Sequence, residues 1–119
     1  MPIKPESKAI DKFKKTLKGV FYLHKIHSGG FGVSGFPDLY LKLRSIPASF
    51  LIEMKVASSC QEALKKRLPS QIGMAKVLGN VGADYILMWD NGSNAFPCWY
   101  KEKEYASFEA LINDFPAVI

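Results

Sequence analysis

The chain has 119 residues, 48% of them hydrophobic, and a formal net charge of +5. That length supports one domain, 1–119, with its own core and excludes a separate regulatory module, while the apolar content excludes a disordered chain. The basic balance, with a pI near 9.2, favours a polyanionic partner.

Ile10, Phe13 and Leu17 recur at helical spacing, which predicts a first helix from about Pro5 to Leu17. Its other faces carry Lys8, Lys12, Lys14 and Lys15, with Lys18 just beyond. Val20 to Ile26 is aromatic and β-branched without a breaker and predicts a strand. Ser28 to Gly35 is glycine-rich and must be a loop, but it has neither the Walker nor the dinucleotide-binding spacing. It reads as an arm that lets a phosphate backbone approach, with Ser28 and Ser34 as hydrogen-bond donors. His24 and His27 sit on or beside the first strand and take opposite facings.

Leu39 to Leu43 alternates apolar and polar, a second strand, and Pro47 lies in the turn that leads to a third, Phe50 to Val56. Ala57 to Leu68, which contains Lys65, Lys66 and Arg67, reads as a loop with a short helical piece. Pro69 suits the first turn of a helix to about Leu78, ending at Gly79 or Gly82. Asp84 to Trp89 predicts a strand buried on both faces, Asn91-Gly92 a hairpin turn, and Phe96 to Tyr100 a returning edge strand. Ser107 caps a last helix with the stripe Phe108, Leu111, Ile112 and Phe115. The fold class is α/β, a small mixed β-sheet flanked by helices, with an αβββαβ core.

Cys60 and Cys98 have neither zinc spacing nor the density of a disulfide scaffold, so they read as free thiols of a reducing, cytoplasmic compartment. No apolar run is long enough to span a bilayer and no signal-peptide core follows Met1, so no membrane partner is expected.

The chemistry is concentrated in Pro37-Asp38 and Glu53-Met54-Lys55. In a strand Glu53 and Lys55 project to one face while Phe50, Ile52, Met54 and Val56 fill the other. A divalent ion takes oxygen ligands such as Asp38 and Glu53, and an ammonium beside them holds a water or a phosphate: metal-dependent phosphodiester chemistry in outline. Plainer roles exist for each residue. Asp38 also fits a turn after proline, Glu53 and Lys55 a solvated strand face, and Glu6 and Gln71 the first turns of their helices.

With this element order, Pro37-Asp38 and Glu53-Met54-Lys55 resemble the two halves of the PD-(D/E)xK nuclease signature. Glu6 in the first helix, Lys-Ile-His-Ser-Gly ahead of the Pro-Asp, and Gln71 ahead of a Gly-Ala-Asp-Tyr strand extend the match over roughly residues 6 to 90. Within that superfamily the chain looks closest to the VRR-NUC group and to archaeal-type Holliday-junction resolvases. The resemblance implies a Mg²⁺- or Mn²⁺-dependent DNA endonuclease, structure-selective for branched DNA, with a part in repair or recombination in a bacterial, archaeal or phage-infected cell. Asp38 and Glu53 would hold the metal, with the Met54 carbonyl and Glu6 as further ligands. Lys55 and Gln71 would complete the catalytic set, and Lys14, Lys15, Lys18, Lys65, Lys66 and Arg67 would track phosphates. Resolvase-like relatives work as dimers, which makes a homodimer an expectation. Rival readings are a non-catalytic DNA-binding module of the same fold, a sequence-specific homing or restriction-type endonuclease, or an unrelated α/β protein.

Overall fold

The computed structural model describes residues 5–26 and 35–115. Helix α1 (Pro5–Thr16) is followed by β1 (Val20–Lys25), β2 (Leu39–Leu43) and β3 (Ser49–Val56). Then come α2 (Cys60–Lys65), α3 (Pro69–Asn80), β4 (Asp84–Asp90), β5 (Cys98–Tyr100), β6 (Lys103–Tyr105) and α4 (Phe108–Asn113). The six strands form one sheet in the order β1-β2-β3-β4-β5-β6. Only β3 and β4 run parallel; the other pairs are antiparallel. A parallel pair needs a crossover, and α2 and α3 supply it. This is the mixed sheet flanked by helices that the sequence predicts.

Strand alternation divides the interior in two. Leu39, Leu41, Phe50, Ile52, Met54, Ile86 and Met88 meet Ala9, Ile10 and Phe13 of α1 and Phe108 and Leu111 of α4 in the main core. Phe13 anchors it, with edge-to-face contacts to Phe96 and Phe108, each at 5.2 Å between ring centroids. On the opposite face a smaller cluster joins Leu87 and Trp89 to Ala57, Cys60 and Ala63. Register carries that second face across the sheet through Tyr40, Leu51, Glu53 and Lys55, since Tyr40 pairs with Leu51 and Glu53 with Leu87. The two cysteines are free and buried. No helix of the described residues is long and apolar enough to cross a membrane.

The stretch 57–68 is a loop with a short helical piece as expected, the six-residue α2, capped by the Ser59 hydroxyl, which accepts from the Glu62 N–H. Two predicted elements are corrected. Asn91-Gly92 is not a two-residue hairpin turn: Met88 pairs with Cys98, so seven residues separate the paired strands. Asp90 and Asn91 order that loop by accepting from the N–H groups of Gly92 and Ser93 at 2.9 and 3.0 Å. Phe96 lies outside β5, at φ +52, because there its ring reaches the main core. Finally, the chain turns again at Lys101-Glu102 to make β6. Tyr100 pairs with Lys103, and φ is +48 at Lys101 and +63 at Glu102, the signature of a type I′ turn. That turn usually uses Asn-Gly, and Lys-Glu gives no such signal.

Candidate active site

Asp38 sits one residue before β2 and continues its ladder. The Asp38 N–H donates to the Ile52 carbonyl at 2.9 Å, and its own carbonyl accepts from the Ile26 N–H at 2.8 Å. Its side chain does the same work one step further, with Oδ2 accepting from the Met54 N–H at 2.9 Å. This fixes the carboxylate beside β3, and Met54 touches the site through that N–H. Upstream, Gly35 adopts φ +82 and packs against the start of α3 so closely that a Cβ there would lie 2.3 Å from the Ser70 carbonyl oxygen. Only glycine permits both that conformation and that approach.

From β3, Glu53 and Lys55 project together as the alternation requires, and both are buried, at 2% and 7% exposure. They are the buried charged residues of the described structure. Charged side chains seldom lie so deep without partners. Gln71, from the first turn of α3, is the partner of both. Its Oε1 accepts from Lys55 Nζ at 3.0 Å, and its Nε2 donates to Glu53 Oε2 at 3.2 Å. The same Oε1 also accepts from the Leu68 N–H at 2.8 Å, so Gln71 caps its helix as well. The plain reading of Gln71 as a helix-capping residue holds, and the same side chain also bridges Glu53 and Lys55. Lys55 Nζ and Glu53 Oε2 are themselves 3.9 Å apart, a looser contact than either makes with Gln71.

Glu53 Oε1 is buried and has no hydrogen-bond partner among the described residues. Burial, and then the charge and contact of Asp38, hold the Glu53 carboxyl well above the ordinary carboxylate range; Lys55 pulls the other way. Glu6, in the first turn of α1, adds to the rise through its charge. It does not close a three-carboxylate set, because among the described residues no three His, Cys, Asp or Glu side chains converge as ligands. Two carboxylates, one with an orphaned oxygen, nonetheless fit Mg²⁺ or Mn²⁺, since such ions take one or two carboxylates and fill the rest of the shell with water and phosphate oxygens.

The basic residues separate into two groups. Lys14, Lys15 and Lys18 are exposed at the C-terminal end of α1, while Lys12 is committed to Asp90 at 3.0 Å. Lys65 is exposed, but Lys66 Nζ donates to the Val56 carbonyl at 2.5 Å and pairs with Glu62 at 3.3 Å. Arg67 lies over Trp99, 5.6 Å from the ring centroid. Ser28, Ser34 and His27 lie outside the described residues; His24 is exposed on β1, paired with Tyr40 on the face that carries Glu53. Tyr85 was missed by sequence reasoning. It stands on β4 opposite Leu51, and burial together with the charge of Glu53 pushes its hydroxyl up to about 12. Position on the strand adjoining Glu53, at the same parity, is the signal that would have found it.

No family model matches the chain, and no curated protein matches it. Among solved structures it is similar to Hjc, a Holliday junction resolvase from Archaeoglobus fulgidus, an archaeal hyperthermophile. Identity is 14%, covering 83% of this chain and 81% of that one, with a TM-score of 0.46. A likeness at that level bears on no residue of the site.

Proposed function

We propose that the chain is a metal-dependent nuclease that hydrolyses phosphodiester bonds in DNA, with branched DNA as its substrate class. The observation that carries this is Glu53, a buried carboxylate beside Asp38 with one oxygen left without a partner among the described residues. Such a pair is costly alone and is relieved by a cation. Asp38 and Glu53 would hold Mg²⁺ or Mn²⁺, which when bound acidifies water and neutralises charge developing on the phosphoryl oxygens.

The chain's own residues do the rest. The Met54 N–H orients Asp38, so its carboxylate is pre-set before anything binds. Burial and the neighbouring Asp38 favour the protonated form of Glu53, and a divalent ion held by the two carboxylates would favour the ionised form instead. Lys55, steadied by Gln71, grips the attacking water or a non-bridging phosphate oxygen. As the water oxygen bonds to phosphorus it releases a proton to solvent, the P–O ester bond breaks, and the leaving oxygen takes up a proton from solvent. Lys14, Lys15, Lys18 and Lys65, exposed and without a close ion pair among the described residues, are the residues proposed to follow the backbone.

Calorimetric Mn²⁺ binding to Asp38→Ala, Glu53→Ala and Lys55→Ala, with cleavage of a branched and a linear duplex, tests the assignment. The carboxylate variants should lose metal and turnover together; Lys55→Ala should keep metal and DNA binding but not cut. Near-full cleavage by both carboxylate variants sinks the nuclease reading. Metal loss in Lys55→Ala with retention in Asp38→Ala overturns the roles.

A further inference from the structure

A second recess lies away from the carboxylates, between α3 and the strands β4 and β5. It has a volume of about 440 Å³, within the range of small-ligand sites. Arg67, Tyr85 and Trp99 line it together with Ile72 and Ala75 of α3, and the exposed Lys76 and Lys101 complete the lining. Glu102 adds one negative charge against these three positive ones.

Three features single it out. Arg67 Nε and Tyr85 Oη are buried atoms with no hydrogen-bond partner among the described residues, and both residues line the recess. The Arg67 guanidinium lies close enough to the Tyr85 hydroxyl to oppose the rise in its pKa, yet neither Nε nor Oη completes a hydrogen bond among the described residues. Buried polar atoms are nearly always satisfied, so both have capacity for a ligand. Next, Trp99 is half-buried with the Arg67 guanidinium over its ring, which makes a flat, cationic stacking surface. Finally, Lys76 and Lys101 are exposed cations lining the recess, which favours an anionic ligand.

We propose that this recess is a subsite for one unpaired nucleotide of a DNA strand. The base stacks on the Arg67–Trp99 surface and its polar edge meets Arg67 Nε and Tyr85 Oη, while Lys76 and Lys101 take the adjoining phosphates. Proteins that hold single strands combine aromatic stacking with cationic backbone contacts in this way. The proposal rests on the nuclease reading for its choice of DNA, and it refines the substrate to a branch or end that exposes an unpaired nucleotide. Tyr85 links the two places, since it lines the recess and feels the charge of Glu53.

The measurement is intrinsic tryptophan fluorescence in EDTA, which prevents cleavage. Of the two tryptophans Trp89 is only 1% exposed, so quenching reports on Trp99. A thymidine tetranucleotide should quench saturably, a blunt duplex hairpin and inorganic phosphate should not, and Arg67→Gln should weaken tetranucleotide binding about tenfold. Lys101→Glu, at an exposed position of the lining, should weaken it too, and serves if Arg67→Gln fails to fold. Absence of quenching overturns the proposal, as does equal quenching by the duplex or by phosphate, or unchanged affinity in both variants. Cleavage is scored separately: Glu53-dependent cutting without quenching refutes the subsite alone, and quenching without any cutting refutes the nuclease reading alone.

Discussion

Replacing Gly35 by alanine tests the packing that joins the Asp38 loop to α3. The added Cβ would lie 2.3 Å from the Ser70 carbonyl oxygen, 2.4 Å from its carbon and 2.8 Å from the Gln71 nitrogen. All three are backbone atoms, so no rotamer change relieves the overlap; loop and helix must part by about 1 Å to restore ordinary van der Waals separation. The left-handed conformation at φ +82 costs an alanine about 1–2 kcal/mol. Overpacking against a rigid helix start adds about 1–3 kcal/mol. Gly19→Ala is the matched control, because Gly19 has φ +66 but nothing within 4 Å of its Cβ position. It should suffer the conformational cost alone. For a domain of this size 1 kcal/mol moves Tm by roughly 4 °C, so we expect losses of about 4–8 °C for Gly19→Ala and about 8–20 °C for Gly35→Ala. Gln71 moves with the helix start, so cleavage by Gly35→Ala, assayed where both variants are folded, should drop by about 100-fold, as misplacements near 1 Å can do. Equal Tm losses for the two variants, or an active Gly35→Ala, would refute the close packing argued here.

Glu53→Gln should abolish cleavage yet stabilise the metal-free protein at pH 8 by roughly 1–2 kcal/mol, read by urea unfolding. The sign follows from the raised carboxyl: the folded chain holds that proton more tightly than the unfolded one, so this contribution to stability is lost as pH rises above the ordinary value of 4.5. The variant's stability should be flatter over that range, and a wild type that gains stability more steeply than Glu53→Gln there contradicts the assignment. Lys101→Asn with Glu102→Gly, which suits the type I′ turn, should raise stability by about 1 kcal/mol by thermal unfolding; a loss would argue against that turn. Replacing Lys14, Lys15 and Lys18 by glutamine should reduce the salt slope of DNA binding by about one unit for each phosphate these lysines neutralise, and an unchanged slope would leave them as a solvated face.

Much of the fold is legible in the residues because burial is one-sided. The stripe Ile10-Phe13 and the alternation Phe50-Ile52-Met54 place α1 and β3 on the same core, and the structure buries all five. Ser107 caps α4 as its chemistry suggests, accepting from the Ala110 N–H at 3.0 Å. What escaped depends on long-range packing or on backbone strain. Phe96 reads as a strand residue until Phe13 is there to receive its ring, and Lys101-Glu102 turns through a conformation that neither residue advertises. In the site, shared parity of Glu53 and Lys55 is written in the strand, and Pro37-Asp38 marks the neighbouring strand's entry. The bridging of Gln71 is not, since helix capping alone explains a glutamine at that position. Arg67 and Lys66 carry charge that the sequence shows and partners that it does not.

The interior is unevenly shared between the two sides of the sheet. Among the described residues the α1–α4 side buries seventeen apolar residues in one cluster, and the side that carries Glu53 and Lys55 buries five apolar residues in its own. Folding strength and chemistry are therefore kept in separate compartments. Substitutions on the chemical side disturb little of what keeps the chain folded, so that side is free to drift in specificity or to lose its activity while the scaffold endures. Random mutagenesis selected only for solubility should accumulate changes at Glu53, Lys55 and Gln71 long before it tolerates any at Phe13, Ile52 or Ile86.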